Sequence, residues 1–300
     1  MPTLLVLLGP TGVGKTATAL RLADAFGCPI VNADSRQIYR GIPIGTAAPT
    51  QEELQHAKHY FVGMLDLDEY YSAARFEEDV MHLLPTLFKA HETVIMSGGS
   101  MLYIDAVCRG LDDIPTVADE TRSFVRQELE TRGLEALLQQ LSLLDPDYYK
   151  EVDRRNTQRV VHALEICLQT GRPFSTFRTR SVKKRPFDIV KIGLNRERAE
   201  LFDRINRRTM TMMEDGLLEE VKSVVPYRHM PALNTVGYKE LFRYLDGEWD
   251  LDFALARMQK NTRLYAKKQL TWLKRDADVH WFSPEAKEEI MDFVREKGLL

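Results

Sequence analysis

The sequence has only three cysteines among its 300 residues, and they stand far apart at Cys28, Cys108 and Cys167. An odd number of widely spaced cysteines fits neither a disulfide framework nor a zinc site, so we expect reduced thiols in a cytoplasmic protein. No run approaches the roughly 18 apolar residues that a membrane-spanning helix needs. The apolar run at residues 4–8 is too short for the core of a signal peptide. We therefore expect a soluble intracellular protein with no membrane contact.

An excess of positive charge is also missing, because 41 Lys and Arg residues face 44 Asp and Glu residues and the net charge is −3. A nucleic-acid partner would therefore have to bind a local basic patch. Apolar residues are plentiful at 44%, which is enough for one large core with or without a smaller second one. Nothing in the sequence indicates a self-complementary surface, so we expect a monomer.

Four apolar runs predict strands buried in a parallel sheet: residues 3–8, 29–33, 93–97 and 187–194. Helical patterns lie between them, and this alternation predicts an α/β fold in which helices flank the sheet. Residues 112–185 interrupt the alternation, because they predict helix after helix and no strand. We therefore expect an α/β catalytic core at 1–111 and 186–300, with a helical C-terminal part, and an inserted all-helical domain at 112–185.

The first predicted strand is followed by a phosphate-binding motif of the form G-x-x-x-x-G-K-[ST], Gly9-Pro10-Thr11-Gly12-Val13-Gly14-Lys15-Thr16. A predicted helix begins directly after it. In this setting backbone N–H groups and the helix N-terminus bind phosphate oxygens, the lysine neutralises the terminal phosphate, and the Thr16 hydroxyl can hold Mg²⁺. The sheet is therefore predicted to be of the P-loop type. The motif does not identify the compound that carries the phosphates.

Asp34 ends the second predicted strand, at the carboxyl edge where open α/β sheets bind ligands. A carboxylate that faces the phosphate loop can act as a general base for an incoming nucleophile. An aspartate at this position can equally cap the Ser35-Arg36 turn, and the local pattern leaves both interpretations open. An ordinary ATPase carries an apolar strand that ends in an Mg²⁺-supporting Asp. The strand at 93–97 is instead followed by Gly-Gly-Ser at 98–100, which argues against an ordinary ATPase.

Several longer segments resemble the tRNA dimethylallyltransferases. Besides the phosphate loop they are "NADSRQIYRGIPIGTA" (32–47), "YSAARF" (71–76), "GGSMLYIDAV" (98–107), "NTQRVVHALEI" (156–166), "LFDRINRRTMTMMEDGLLEEV" (201–221), "NTVGYKEL" (234–241) and "NTRLYAKKQLTWLKR" (261–275). They cover nearly the whole chain in the family's order. The resemblance implies transfer of the dimethylallyl group of dimethylallyl diphosphate to N6 of adenine-37, in tRNAs that read codons beginning with U. The products would be N6-isopentenyladenosine and diphosphate.

The resemblance also implies roles for individual residues. Gly9 to Thr16 would hold the diphosphate with Mg²⁺ at Thr16, and Asp34, Ser100 and Arg208 would be catalytic. Asp34 would take the proton from N6, and Arg208, which shares a helix face with Arg204, would contact the diphosphate. The anticodon stem-loop of the tRNA would contact Asp34, Ser35, Arg36, Gln37, Ser100, Gln158, Arg159, Val160, Val161 and His162. The chain departs from the family's usual pattern at Ser100, more often Thr, and at Ala48, where many members carry Lys.

Three further features bear on RNA binding. The predicted helix at 156–170 has an apolar stripe, Val160, Val161, Leu164, Cys167 and Leu168, opposite a polar face, Arg155, Gln158, Arg159 and His162. A basic run follows, Arg178, Arg180, Lys183, Lys184 and Arg185, which is typical either of a solvated surface or of a phosphate-backbone contact. Tyr265 and Trp272 lie among C-terminal cations, and we expect both to pack in the core, as aromatic residues at helical spacing usually do.

Three other functions share parts of this pattern. An enzyme that prenylates free adenine nucleotides would use the phosphate loop and Asp34 but would need no RNA-binding domain. A small-molecule kinase would use the same loop with ATP. A nucleotide-gated RNA-binding protein would do no chemistry, and its activity would not depend on Asp34.

Overall fold

The computed structural model describes residues 1–179 and 181–300. Contacts within the chain divide it into two compact units, Met1–Cys108 with Lys184–Leu300, and Arg109–Lys183. Arg180 of the predicted basic run lies outside the described residues. Within the described part of the chain, no helix combines the length and the apolar character needed to cross a membrane.

The first unit is built on a six-stranded sheet in the order β3-β2-β4-β1-β5-β6, and every pair of neighbouring strands is parallel. The strands are β1 (Thr3–Leu8), β2 (Ile30–Ala33), β3 (His59–Tyr60), β4 (Thr93–Gly98), β5 (Asp188–Leu194) and β6 (Val279–Phe282). Every residue of β1, β2 and β4 is buried, because helices cover both faces of such a sheet. The predicted P-loop-type α/β fold is confirmed.

Thirteen α-helices are formed by the described residues. In chain order they are α1 (Lys15–Phe26), α2 (Pro43–Thr46), α3 (Gln51–His56), α4 (Ala73–Leu87), α5 (Met101–Arg109), α6 (Asp119–Leu144), α7 (Pro146–Glu151), α8 (Thr157–Thr170), α9 (Arg198–Glu214), α10 (Leu217–Ser223), α11 (Tyr238–Leu245), α12 (Leu251–Leu273) and α13 (Lys287–Glu296). Leu22 of α1, Ile205 of α9 and Ile290 of α13 join Leu5 and Ile192 of the sheet in one core cluster.

The second unit contains α6, α7, α8 and a 3₁₀ turn at Phe174–Phe177, and no strand occurs among its described residues. Asn156 caps α8 by accepting a hydrogen bond from the Arg159 N–H, and Gly171 ends the helix at φ +67°. The helix predicted at 156–170 is confirmed, with Asn156 as its cap. Asp145, 1% exposed, accepts hydrogen bonds from the N–H groups of Tyr148 and Ser175 and from the Ser175 hydroxyl. It thereby fastens α7 to the 3₁₀ turn.

Strands β3 and β6 were not predicted. β3 has only two residues, so it leaves no periodicity to read. β6 is an edge strand in which His280 is exposed and Trp281 and Phe282 are half-buried. Such a strand lacks the continuous apolar run by which the central strands are recognised.

Candidate active site

The phosphate loop joins β1 to α1 at the carboxyl edge of the sheet. Gly14 caps α1 at φ +108°, and Gly12 has φ +82°, with room for no side chain because a Cβ there would lie 2.9 Å from Ile205 Cγ1. Val13 is fully buried in the core and anchors the loop. Thr11, Gly12, Gly14, Lys15 and Thr16 line a cavity of about 940 Å³.

Three residues of the predicted diphosphate-binding set support the loop from inside the protein. Gly9, Pro10 and Val13 are buried. Pro10 has no N–H, and the Val13 N–H donates to the Pro10 carbonyl. We therefore expect a ligand to contact the other five residues of the loop.

Lys15 is held inside this loop. Its Nζ donates to the carbonyl oxygens of Gly9 and Pro10, at 3.0 Å each. Burial lowers the pKa of Lys15 to about 8, a shift that the nearby Asp34 carboxylate opposes and the Arg208 guanidinium adds to. A bound anion would favour the charged ammonium.

Three arginines that follow β5 brace the loop. The Arg208 Nη2 donates to the Thr11 hydroxyl at 2.7 Å, and the Nε atoms of Arg204 and Arg196 donate to the carbonyls of Gly12 and Val13. Arg204 and Arg208 both line the cavity, as their spacing on α9 predicted. Burial lowers the pKa of Arg208. Arg196 was not singled out from the sequence, because it precedes α9 and falls outside its helical spacing.

Asp34 directly follows β2 and faces the same cavity. Its Oδ1 accepts hydrogen bonds from the N–H groups of Arg36 at 2.9 Å and Gln37 at 3.3 Å. The carboxylate therefore does cap the turn, as one interpretation of the sequence held. Its Oδ2 accepts no hydrogen bond from residues within 1–179 or 181–300, which leaves one oxygen for a substrate.

Ser100 fastens the same turn from the neighbouring strand. Its Oγ accepts a hydrogen bond from the Ser35 N–H at 2.8 Å and donates to the Ser35 Oγ at 3.1 Å, and its own N–H donates to the Ala33 carbonyl. β2 and β4 are adjacent in the sheet, so Asp34 and Ser100 leave it side by side. A hydroxyl thus lies beside a carboxylate, in a cavity that Lys15, Arg204 and Arg208 also line.

Comparison with known proteins identifies the family of this chain. The sequence matches the family described as IPP transferase over residues 37–276. The tRNA dimethylallyltransferase 1 of Bacteroides thetaiotaomicron is 57% identical over 299 residues, which cover 100% of this chain and 97% of that protein. The chain belongs to the tRNA dimethylallyltransferase family. It is a transferase, and the family resemblance predicted from its sequence segments is confirmed.

Solved structures agree with this assignment. The full-length tRNA isopentenylpyrophosphate transferase of Bacillus halodurans matches with a TM-score of 0.72 and 34% identity, over 99% of this chain and 97% of that one. A eukaryotic dimethylallyltransferase acting on tRNA has the same fold, with a TM-score of 0.83 and 24% identity over 99% of this chain and 80% of its own. The fold is therefore that of known family members.

Two further residues of the family's predicted RNA-contact set already have partners in the chain. Arg36 donates to the Pro231 carbonyl, and the Gln37 side-chain amide donates to the carbonyls of Thr46 and Ala47. Both side chains line the cavity. They hold its wall in place, and any contact with RNA would be additional.

The predicted RNA-binding face of α8 is only partly available to a ligand. Gln158, Arg159 and His162 are exposed, Val161 is half-buried, and Val160 is fully buried in the core of the helical unit. The Val160 side chain is therefore not at the surface, because the apolar stripe of this helix packs inward, and a contact between Val160 and RNA stays a prediction. Leu168, predicted in that stripe, is instead 40% exposed.

The predicted basic run is used largely within the chain. Arg178 pairs with Glu151, and Lys183 pairs with Asp113. Arg185 is 8% exposed at its side chain, pairs with Glu77 at 2.7 Å and donates to the Val107 carbonyl. Arg185 fits neither interpretation of the run, because its side chain is buried and its charge is paired.

Helix α12 contributes residues that the sequence did not assign to the site. Tyr265 lines the cavity and is 38% exposed, and burial in this cleft beside Asp34 raises its pKa to about 12. Trp272 is 37% exposed and donates from Nε1 to Asp105. The prediction that both aromatic residues pack in the core is wrong.

Gln269, four residues beyond Tyr265 on α12, is 2% exposed and contacts two loops of the site.

A second wall of the cavity is formed by residues 43–50. The Glu220 carboxylate accepts hydrogen bonds from the N–H groups of Ile44 and Gly45 and from the hydroxyl of the buried Tyr238. Gly45 is required here, because a Cβ would lie 2.4 Å from the Tyr238 Oη. This wall includes Ala48, where many family members carry Lys. The wall therefore contributes no cation to the cavity at that position.

Proposed function

We propose that the chain transfers the dimethylallyl group of dimethylallyl diphosphate to N6 of adenine-37 in tRNAs that read codons beginning with U. The products are N6-isopentenyladenosine and diphosphate. One observation carries the proposal: a single cavity of about 940 Å³ is lined both by Lys15, Thr16 and Arg208 and by Asp34 and Ser100. An anionic leaving group and a proton-donating nucleophile therefore each find matching residues in it.

The cationic side suits a leaving diphosphate. As the C1–O bond of the donor breaks, negative charge builds on the diphosphate oxygens. Lys15, Arg204 and Arg208 converge on the phosphate loop, and the N-terminus of α1 adds the partial positive charge of its N–H groups. Groups held in place before the reaction stabilise this charge without reorganising.

The acidic side suits the adenine amine. The lone pair of N6 is delocalised into the ring, so the amine is a poor nucleophile until it loses a proton. In the reaction the N6–C1 bond forms, the C1–O bond breaks with its electron pair going to the diphosphate, and the N6 proton passes to Asp34. General-base catalysis of this kind contributes roughly 10²–10⁴-fold. Tyr265 also lines the cavity that an extruded loop base would enter.

Mg²⁺ is the cofactor that the donor set fits. Thr16 lines the cavity at the start of α1 and offers one hydroxyl oxygen. Mg²⁺ in such sites takes a few protein oxygens together with substrate phosphates and water. When bound, the ion would neutralise part of the charge on the diphosphate. Thr16 would hold it, while Lys15 and Arg208 would contact the remaining oxygens.

The helical unit is the RNA-binding part that we propose. Gln158, Arg159 and His162 lie on the exposed face of α8, where they can contact the backbone and bases of an anticodon stem. We expect the enzyme to act as a monomer in the cytoplasm, where tRNA and the isoprenoid diphosphate are both present and its three buried cysteines stay reduced.

The test is a mass measurement on RNA. The protein is incubated with Mg²⁺, dimethylallyl diphosphate and an anticodon stem-loop with adenine at positions 36, 37 and 38. We expect the RNA to gain the mass of one five-carbon unit, and a stem-loop with guanine at position 37 to gain nothing. A gain on free AMP but none on the stem-loop would contradict the RNA substrate and favour nucleotide prenylation.

A further inference from the structure

Strands β1 and β4 lead into the phosphate loop and the turn that bears Ser100, and their pairing ends where the site begins. Their last paired residues are Leu8 and Gly98. Beyond this pair, β1 continues into the phosphate loop and β4 into the turn that bears Ser100. No ladder hydrogen bond between described residues joins the two segments past Leu8 and Gly98, so another contact must set the width of the gap.

The side-chain amide of Gln269 spans that gap. Its Oε1 accepts a hydrogen bond from the Thr11 N–H at 2.9 Å, and its Nε2 donates to the Gly99 carbonyl at 2.7 Å. The amide thus takes the place of one further ladder pair. Gln269 comes from α12, far away in sequence, and is 2% exposed, so both polar atoms of its amide are committed to these two hydrogen bonds.

Each residue that the Gln269 amide contacts is next to, or bonded to, a residue that we place in the reaction. Thr11 accepts the hydrogen bond of Arg208 through its hydroxyl. Gly99 precedes Ser100, which fastens the turn that begins with Asp34. The packing at the bridge is tight, because a Cβ at Gly99 would lie 2.7 Å from the Gln269 Nε2 and 3.5 Å from the Lys15 Nζ.

We propose that Gln269 is a positioning residue that fixes the separation between the phosphate loop and the Gly99–Ser100 turn. This inference rests on the proposed function, because that separation sets the distance from the leaving diphosphate to the base that takes the N6 proton. A misplacement of about 1 Å between reacting groups costs up to roughly 100-fold in rate. Gln269 therefore acts on kcat through the two loops that its side-chain amide connects.

The test compares two glutamines of the same helix. Gln269→Met keeps the volume of the side chain and removes both hydrogen bonds. Gln259→Met is the matched control, because Gln259 also lies on α12 but donates only to the Asn206 carbonyl on α9, away from both loops. For Gln269→Met we expect kcat to fall roughly 10- to 100-fold, with the KM for dimethylallyl diphosphate changed by less than about threefold. For Gln259→Met we expect the kcat of the unaltered enzyme.

A double-mutant cycle with Ser100→Ala shows whether Gln269 acts through the turn. If it does, the two substitutions together slow the reaction by clearly less than the product of their separate effects. Multiplicative effects, or a Gln269→Met enzyme that melts earlier but keeps its kcat, would contradict the proposal and leave Gln269 as an ordinary core residue.

A measurement that does not depend on catalysis separates the test of the Gln269 bridge from the test of the proposed function. Hydrogen exchange of the Thr11 amide should be slow in the unaltered protein and in Gln259→Met, and fast in Gln269→Met. Gln269→Glu should stay slow, because a carboxylate still accepts this hydrogen bond, although it can no longer donate to Gly99. An inactive unaltered protein with this exchange pattern would contradict the proposed function and support the bridge. An active protein in which the Thr11 exchange stays slow after Gln269→Met would support the proposed function and contradict the bridge.

Discussion

The two interpretations of Asp34, base and turn cap, can be separated by a single pair of substitutions. Asp34→Asn keeps an Oδ1 that accepts from the Arg36 and Gln37 N–H groups, but an amide cannot take a proton from N6. We expect kcat to fall roughly 10²–10⁴-fold, the usual contribution of a general base. The melting temperature should hardly change.

Asp34→Ala removes both functions. Loss of a side-chain cap from backbone N–H groups costs about 0.5–2 kcal/mol, and each kcal/mol lowers the melting temperature of a protein this large by roughly 2–4 °C. The alanine variant should therefore be as inactive as the asparagine variant and melt a few degrees earlier. The assay is single-turnover prenylation of the stem-loop, paired with calorimetry on the same samples.

One result would refute this reasoning. An Asp34→Asn enzyme with the kcat of the unaltered protein, together with an Asp34→Ala enzyme that is merely less stable, would make Asp34 a turn cap alone. The base would then have to be sought elsewhere in the cavity. The pair is informative because the cap uses one oxygen of the carboxylate, Oδ1, and leaves the other for the proposed base.

Three further predictions follow from charge and packing. As the pH rises through about 8, Lys15 in the free enzyme loses its proton, so kcat/KM for the donor should decline above that pH; a profile flat through this range would contradict the assignment. Gly45→Ala brings a Cβ to 2.4 Å from the Tyr238 Oη and should lower the free energy of unfolding by roughly 1–3 kcal/mol in urea titrations; the added substitution Tyr238→Leu should restore part of the loss, and no change in the single variant would disprove the clash. Arg159→Gln should weaken stem-loop binding and reduce the slope of log affinity against log salt by about 1, whereas an unchanged slope would mean that RNA binds to another surface.

The central sheet and the phosphate loop could be predicted because their information is local. A continuous apolar run, a glycine-rich turn and a helix follow one another within residues 3–26, and the physical reason for each lies in its own sequence. The edge strands β3 and β6 lack such a pattern and depend on the strands beside them.

The supports of the site could not be predicted, because they act across long stretches of chain. Gln269 meets Thr11, and Glu220 meets Gly45. A glutamine or glutamate on an amphipathic helix has the same local pattern whether it faces water or a loop of the active site. The same limitation explains Tyr265, whose helical spacing indicated a core position although its ring lines the cavity.

The central claim is that the phosphate loop holds a leaving diphosphate while the amine attacks. The most direct measurement is to quantify diphosphate release and RNA mass gain in one reaction with dimethylallyl diphosphate, beside a parallel reaction with ATP. The account predicts one diphosphate for each five-carbon unit gained by the RNA and no turnover of ATP. Release of phosphate from ATP, with no mass gained by the RNA, would contradict it and assign the loop to a kinase.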